Sequence, residues 1–155
     1  MICKPDISLR KATIQDAELL FRWANDETVR RNSFSSRRIE WDEHLNWFKR
    51  VLNDEDVYQY ILMNKDVPIG QIRLTVNESE AEIGYSIDSA YRGKGFGSVM
   101  LKMAEEMLGR ERPDVDRIVG RVKPENKASL AVFEGLGYTE EFRQMVFVRE
   151  NTFQG

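Results

Sequence analysis

The stretch Ala81-Glu82-Ile83-Gly84-Tyr85-Ser86-Ile87-Asp88-Ser89-Ala90-Tyr91-Arg92-Gly93-Lys94-Gly95-Phe96-Gly97-Ser98 runs an alternating strand directly into a glycine-rich turn. Ala81, Ile83, Tyr85 and Ile87 fall on one face, and Glu82, Gly84, Ser86 and Asp88 on the other, the period-two pattern of a half-buried strand. Beyond the turn the period becomes helical, with Met100, Leu101, Ala104, Met107 and Leu108 predicting a helix that stops near Gly109 and Pro113. A tight glycine turn at a helix N-terminus presents unpaired N–H groups and the positive end of the helix dipole, and both favour phosphate oxygens. The turn is not a nucleotide loop of the Gly-x-x-x-x-Gly-Lys-Ser/Thr kind, and Ser98 stands where a dinucleotide fingerprint needs its last glycine. Neither ATP nor NAD is favoured.

Outward from this stretch the pattern continues on both sides. Upstream, Thr13 caps a helix marked by Ile14, Ala17, Phe21 and Ala24, and a second helix is marked by Trp41, Leu45, Phe48 and Leu52, with a loop over 32–36 between them. Strands follow at 58–63 and around Ile72, Leu74 and Val76, with turns at 64–66 and 77–79. Downstream, 117–122 reads as a strand, 126–135 as a short helix, and 138–143 and 145–149 as two closing strands. With a first strand at the N-terminus, the order predicts one α/β domain over 1–155, a twisted mixed sheet of about seven strands with helices on both faces.

Composition narrows the function. The 155 residues are about one domain's worth, and 41% hydrophobic residues with only 4 prolines argue against disorder. The net charge of −3 disfavours nucleic acid and anionic membranes as partners. Cys3 and His44 are the single cysteine and histidine, so neither a disulfide nor a thiolate or imidazole metal cage is expected. The absence of an apolar N-terminal run points to a cytoplasmic protein, as a monomer or homodimer.

Two motifs in register carry a resemblance. Arg92, Gly95 and Gly97 match Arg/Gln-x-x-Gly-x-Gly/Ala, and Asn126, Ser129, Phe133, Gly137 and Tyr138 match Asn-x-x-Ser-x-x-x-Tyr/Phe followed by Gly-Phe/Tyr. The chain thus resembles the GNAT-type N-acetyltransferases over nearly its whole length. The resemblance implies acetyl-CoA as cosubstrate, with the pyrophosphate held by the loop Arg92, Gly93, Lys94, Gly95, Phe96, Gly97 and Ser98, and the missing cysteine and histidine cluster leads to the expectation of no metal. It further implies that Tyr85, Ser86 and Ile87 lend backbone groups to the pantetheine arm, and that Asn126, Ser129 and Phe133 line the cofactor. The fold implied has parallel fourth and fifth strands that splay apart to admit the thioester.

Acetyl transfer needs a neutral amine and a donor to the carbonyl oxygen. The N–H near Ile87 is the donor the family implies, and Glu82 on the same strand is a candidate base. His44, the one side chain with an ordinary pKa near ~6.5, is a second candidate. Phe133 departs from the tyrosine that many family members use to protonate the thiolate, so Tyr138, Tyr85 or water would substitute, and a tyrosine at 133 is expected to raise turnover.

For the acceptor, Arg30, Arg31, Arg37 and Arg38 form a run without an intervening acid, beside Asn25, His44 and Trp47. Such a run suits an anionic acceptor, since arginine pairs bidentately with phosphate. The neighbouring Trp-x-Asn-Asp and His-x-x-Trp pieces resemble the branch that acetylates nucleotide-linked amino sugars of the pseudaminic acid type, so a UDP-amino sugar is the expected partner. The alternatives are a ribosomal-protein type N-terminal acetyltransferase and a non-catalytic CoA-binding module.

Overall fold

The computed structural model describes residues 6–149. Their strands are β1 (Ile7–Lys11), β2 (Val57–Asn64), β3 (Val67–Asn77), β4 (Glu80–Ile87) and β5 (Arg117–Gly120), in one sheet of order β1-β2-β3-β4-β5. The first four are antiparallel neighbours and β5 runs parallel to β4. Five helices accompany them: α1 (Ala17–Ala24), α2 (Glu27–Asn32), α3 (Trp41–Leu52), α4 (Phe96–Glu111) and α5 (Lys127–Gly135).

The expected mixed sheet with helices on both faces is present. On one face α4 brings Met100, Leu101, Ala104, Met107 and Leu108 against Leu62, Ile72, Leu74, Val76, Ala81 and Ile83. On the other, α1 and α3 bring Leu20, Trp23, Phe48 and Val51 against Ile61. Because successive strand residues point to opposite faces, Ile61 and Leu62 are both fully buried although they belong to different cores.

The strand count is corrected from about seven to five among the described residues. Residues 138–149 form no strand, and Phe142, Met145, Val146, Phe147 and Val148 are exposed. Alternation supplies strand propensity, but a strand forms only where a ladder accepts it. β5 offers four residues, and beyond it the segment is met by an Arg117–Glu141 ion pair instead. The arginine run also differs from the loop expected around it, since Asp26 accepts the Val29 N–H and so caps the short helix α2.

Candidate active site at the fork of β4 and β5

β4 pairs with β5 only from Glu80 to Ile83, opposite Arg117 to Gly120. Past that point β4 continues alone on its β5 side. The Asp88 N–H bonds Ile69 O, so the antiparallel alternation turns the N–H groups of Gly84 and Ser86 toward β3 and those of Tyr85 and Ile87 toward the vacated side. The ring of Phe133 on α5 closes the apex: it stands edge-on to Tyr85, with centroids 6.0 Å apart, and its tip covers Gly120. A Cβ on Gly120 would lie 2.5 Å from that tip, so glycine is what lets the ring settle there.

The glycine turn lies at the open end of this fork. Gly93 and Gly95 take φ of +74° and +84°, a left-handed conformation cheap only for glycine. As a result, no backbone N–H from Gly93 to Ser98 finds a partner among the described residues, and the first bond of α4 runs from Val99 N–H to Gly95 O. Six successive free donors at the N-terminus of a 16-residue helix make an anion nest. Lys94 adds a cation 5.9 Å from the ring centroid of Tyr91.

The Arg92 side chain has a different use. Its Nε donates to Ile87 O at 3.0 Å and its Nη2 to Asp26 Oδ2 at 2.8 Å, so it ties the turn to α2. Beside it Trp23 Nε1 donates to Asp88 Oδ2 at 2.8 Å, a second tie from the helical layer. Trp23 and Asp26 stand in the sequence only as parts of the Trp-x-Asn-Asp piece, because the residues they meet lie more than sixty positions away.

Asn126 caps α5 by accepting the Ser129 N–H, and Ser129 Oγ lies 2.9 Å from the Tyr85 hydroxyl. Burial raises the Tyr85 pKa and the Ser129 bond lowers it in part. Tyr138 donates to Glu105 on α4 at 3.0 Å, and burial followed by the Glu105 charge holds its phenol far up. The Tyr138 hydroxyl is therefore committed to Glu105, and its ring stands edge-on to Phe133.

Glu82 projects on the α3 side of the sheet, exposed, with Arg121 at 3.3 Å. Gly84 and Ser86 share that side, and Gln59, Gln71 and Ser86 join β2, β3 and β4 by hydrogen bonds of 2.8 and 3.1 Å. His44 is not part of this group. It is 3% exposed, lies among Phe21, Trp41, Trp47 and Phe48, and its Nε2 bonds Ala17 O at 3.0 Å. Burial lowers its pKa against that bond, so the expectation of a base at His44 gives way to a neutral packing residue.

The acceptor-side residues also differ from expectation. Asn25 spends both ends of its amide on the Ile39 backbone. Arg30 donates to Ala24 O, Ser35 O, Arg37 O and Ser33 Oγ, and Arg37 pairs with Glu43. Arg31 is exposed and donates to Thr28 Oγ1. The run therefore folds its own loop. Trp47 is half-buried under the guanidinium of Arg73, which lies between Ile72 and Leu74 on the opposite side of that strand.

Residues 6–139 match the acetyltransferase (GNAT) domain family. The chain belongs to the GNAT acetyltransferase family. It is 26% identical to an uncharacterised N-acetyltransferase of Bacillus subtilis, YfmK, over 85% of this chain and 86% of that one. Its fold is similar to that of spermidine N-acetyltransferase from Vibrio cholerae solved with CoA and spermine (TM-score 0.80, 20% identity, 89% of this chain and 83% of that one). It is also similar to the ribosomal L7/L12 alpha-N-protein acetyltransferase RimL solved with CoA (TM-score 0.78, 19% identity, 88% and 82%). This GNAT chain is thus an N-acetyltransferase by family, and its fork and nest are the features that distinguish it from an ordinary antiparallel sheet.

Proposed function

We propose that the protein moves an acetyl group from acetyl-CoA to a primary amine of a small acceptor at the fork. The observation that carries this reading is the conjunction of two sets of free donors, the N–H groups of Tyr85 and Ile87 and the nest from Gly93 to Ser98, on one continuous strand-to-helix path. Acetyl-CoA fits those donors chemically: a diphosphate suits the nest, and an amide-bearing arm suits an unpaired strand edge. Bound there, it supplies an activated acetyl thioester whose thiol, with an ordinary pKa near ~8.5, departs without a proton donor.

The chain's own residues do the rest. One of the Tyr85 and Ile87 N–H groups, which lie about 7 Å apart along the edge, donates to the carbonyl oxygen as charge develops on it, and the other holds the arm. Glu82, on the α3 side of the same strand, takes the ammonium proton directly or through water and leaves the nitrogen lone pair free. Asn126, Ser129 and Phe133 hold α5 against β4, and Tyr85 stays a bridge to Ser129. The nucleotide-linked amino sugar loses its main physical support, because Arg30 and Arg37 serve the loop itself.

The test is a calorimetric titration with acetyl-CoA, followed by thiol release in the presence of amines. Micromolar binding with amine-dependent release is expected. Absence of binding overturns the reading, and binding without release for any amine favours a CoA-binding module.

A further inference from the structure

Arg73 on β3 stands opposite Gly84 on β4, on the side of the sheet that faces α3. Its guanidinium carbon lies 4.9 Å from the ring centroid of Trp47, and one Nη lies 3.9 Å from where a Cβ on Gly84 would stand. The side chain therefore crosses from β3 onto β4 at the first residue beyond the pairing with β5. Glycine at 84 leaves the space for it.

What sets Arg73 apart is its lack of an acceptor. Among the described residues, Arg10, Arg30, Arg31, Arg37, Arg92, Arg112, Arg117, Arg121 and Arg143 each donate to or pair with an oxygen. Arg22, Arg38, Arg50, Arg110 and Arg149 are exposed to solvent. Arg73 is partly withdrawn from water with no oxygen bonded to it, and burial lowers its pKa while the Glu82 charge acts in the opposite direction. Glu82 pairs with Arg121 and makes no ion pair with Arg73. A cation stripped of part of its water without a bonded oxygen is costly, and the Trp47 face and the nearby Glu82 charge offset that cost only in part.

We infer that Arg73 receives an anionic oxygen group, a carboxylate or a phosphate, carried by the acceptor amine. This rests on the acetyltransferase reading above and names the acceptor's class: an amine that bears an acid. A planar guanidinium presents a fork of donors matched to such groups. Lying over Gly84, it is about one to three strand residues from the Tyr85 and Ile87 N–H groups, so the acid and the amine of the acceptor should be about 3–10 Å apart. Glu82, on the same side of β4 two residues from Gly84, would then meet the ammonium end. The pair Arg73 and Glu82 reads the two ends of one zwitterion, and a polycation would meet Arg73 as a like charge.

The experiment compares acceptors differing only in the acid. Phenylalanine, 4-aminobutyrate and 6-aminohexanoate are each set against their carboxamides, O-phosphoethanolamine against ethanolamine, and spermidine and kanamycin serve as polycations. The wild type is expected to favour at least one acid over its neutral partner by about tenfold or more in kcat/KM, and the carboxylate and phosphate arms show which acid fits. In Arg73→Gln that ratio should collapse toward one through the acceptor KM, and Arg73→Lys should retain part of it. Acetyl-CoA affinity, measured by calorimetry, should hold in both. Preference of the wild type for carboxamides or polycations overturns the inference, as does an equal loss for acid and neutral partners in Arg73→Gln. Failure of every acid with acetyl-CoA binding intact also overturns it. Failure of the wild type to bind acetyl-CoA would instead remove the acetyltransferase reading beneath it.

Discussion

Phe133 directs its ring tip at Gly120 and its edge toward Tyr138, whose ring centroid is 4.9 Å away. A hydroxyl added at that tip would be driven toward the β5 backbone, so Phe133→Tyr should lower stability by about 1–3 kcal/mol and bring no gain in kcat. Thermal melts and turnover of the variant check this, and a faster enzyme with an unchanged Tm would restore the proton-donor expectation drawn from the sequence. His44 makes a different kind of statement. Its folded pKa lies below the ordinary 6.5, because burial outweighs the Ala17 bond. The unfolded chain therefore takes up the proton first as pH falls, and stability present above about pH 6.5 declines below it, at no more than about 1.4 kcal/mol per pH unit. His44→Gln, which keeps a donor for Ala17 O, should flatten that slope in denaturant titrations. A steep loss of kcat with acetyl-CoA affinity intact would return His44 to the candidates for base.

At the scale of elements, the turn and α4 separate two glycines that look alike in sequence. Gly95 has φ of +84° and caps α4, so Gly95→Ala strains the backbone by about 1–2 kcal/mol whether or not ligand is present. Gly97 lies within the helix, and a Cβ there meets Tyr85 and Val132 at 3.5 Å, an ordinary contact. Gly97→Ala should leave Tm nearly unchanged and weaken acetyl-CoA binding, because its N–H is one of the nest's free donors and a methyl group narrows the approach to it. Calorimetry with both variants decides the matter, and full affinity in Gly97→Ala would place the diphosphate elsewhere. The strand pattern at 138–149 was legible as pattern and still formed no strand, because propensity is local whereas a ladder needs a partner of adequate length.

For the molecule as a whole, two contacts join the helical layer of α1 and α2 to the turn: Asp26 with Arg92, and Trp23 with Asp88. The Asp26 carboxylate is depressed although burial alone would raise it, because Arg92, the Val29 N–H and the Thr28 N–H together outweigh that burial. These contacts therefore clasp α1 and α2 to the glycine turn. Asp26→Asn keeps the cap of α2 while losing the ion pair, so it and Arg92→Gln should each weaken acetyl-CoA several-fold, and the double variant should be no worse than the poorer single one. A coupling of about 1 kcal/mol is expected in that cycle. Strict additivity would show that the clasp positions nothing.

The sequence by itself determined the alternating strand, the glycine turn, the helix after it and the family, since period and glycine spacing are local properties that any arrangement of the chain preserves. It also brought Glu82, Tyr85 and Ile87 into view, because they share one strand with the turn. Only the tertiary structure decided that Arg30 closes its own loop, that Arg92 clasps Asp26, and that His44 packs among aromatic rings. It alone placed Arg73 beside Gly84 and over the ring of Trp47. The physical reason is that a charged side chain's role depends on which acceptors surround it. Those acceptors arrive from strands and helices distant in the chain, through a register that no local pattern records.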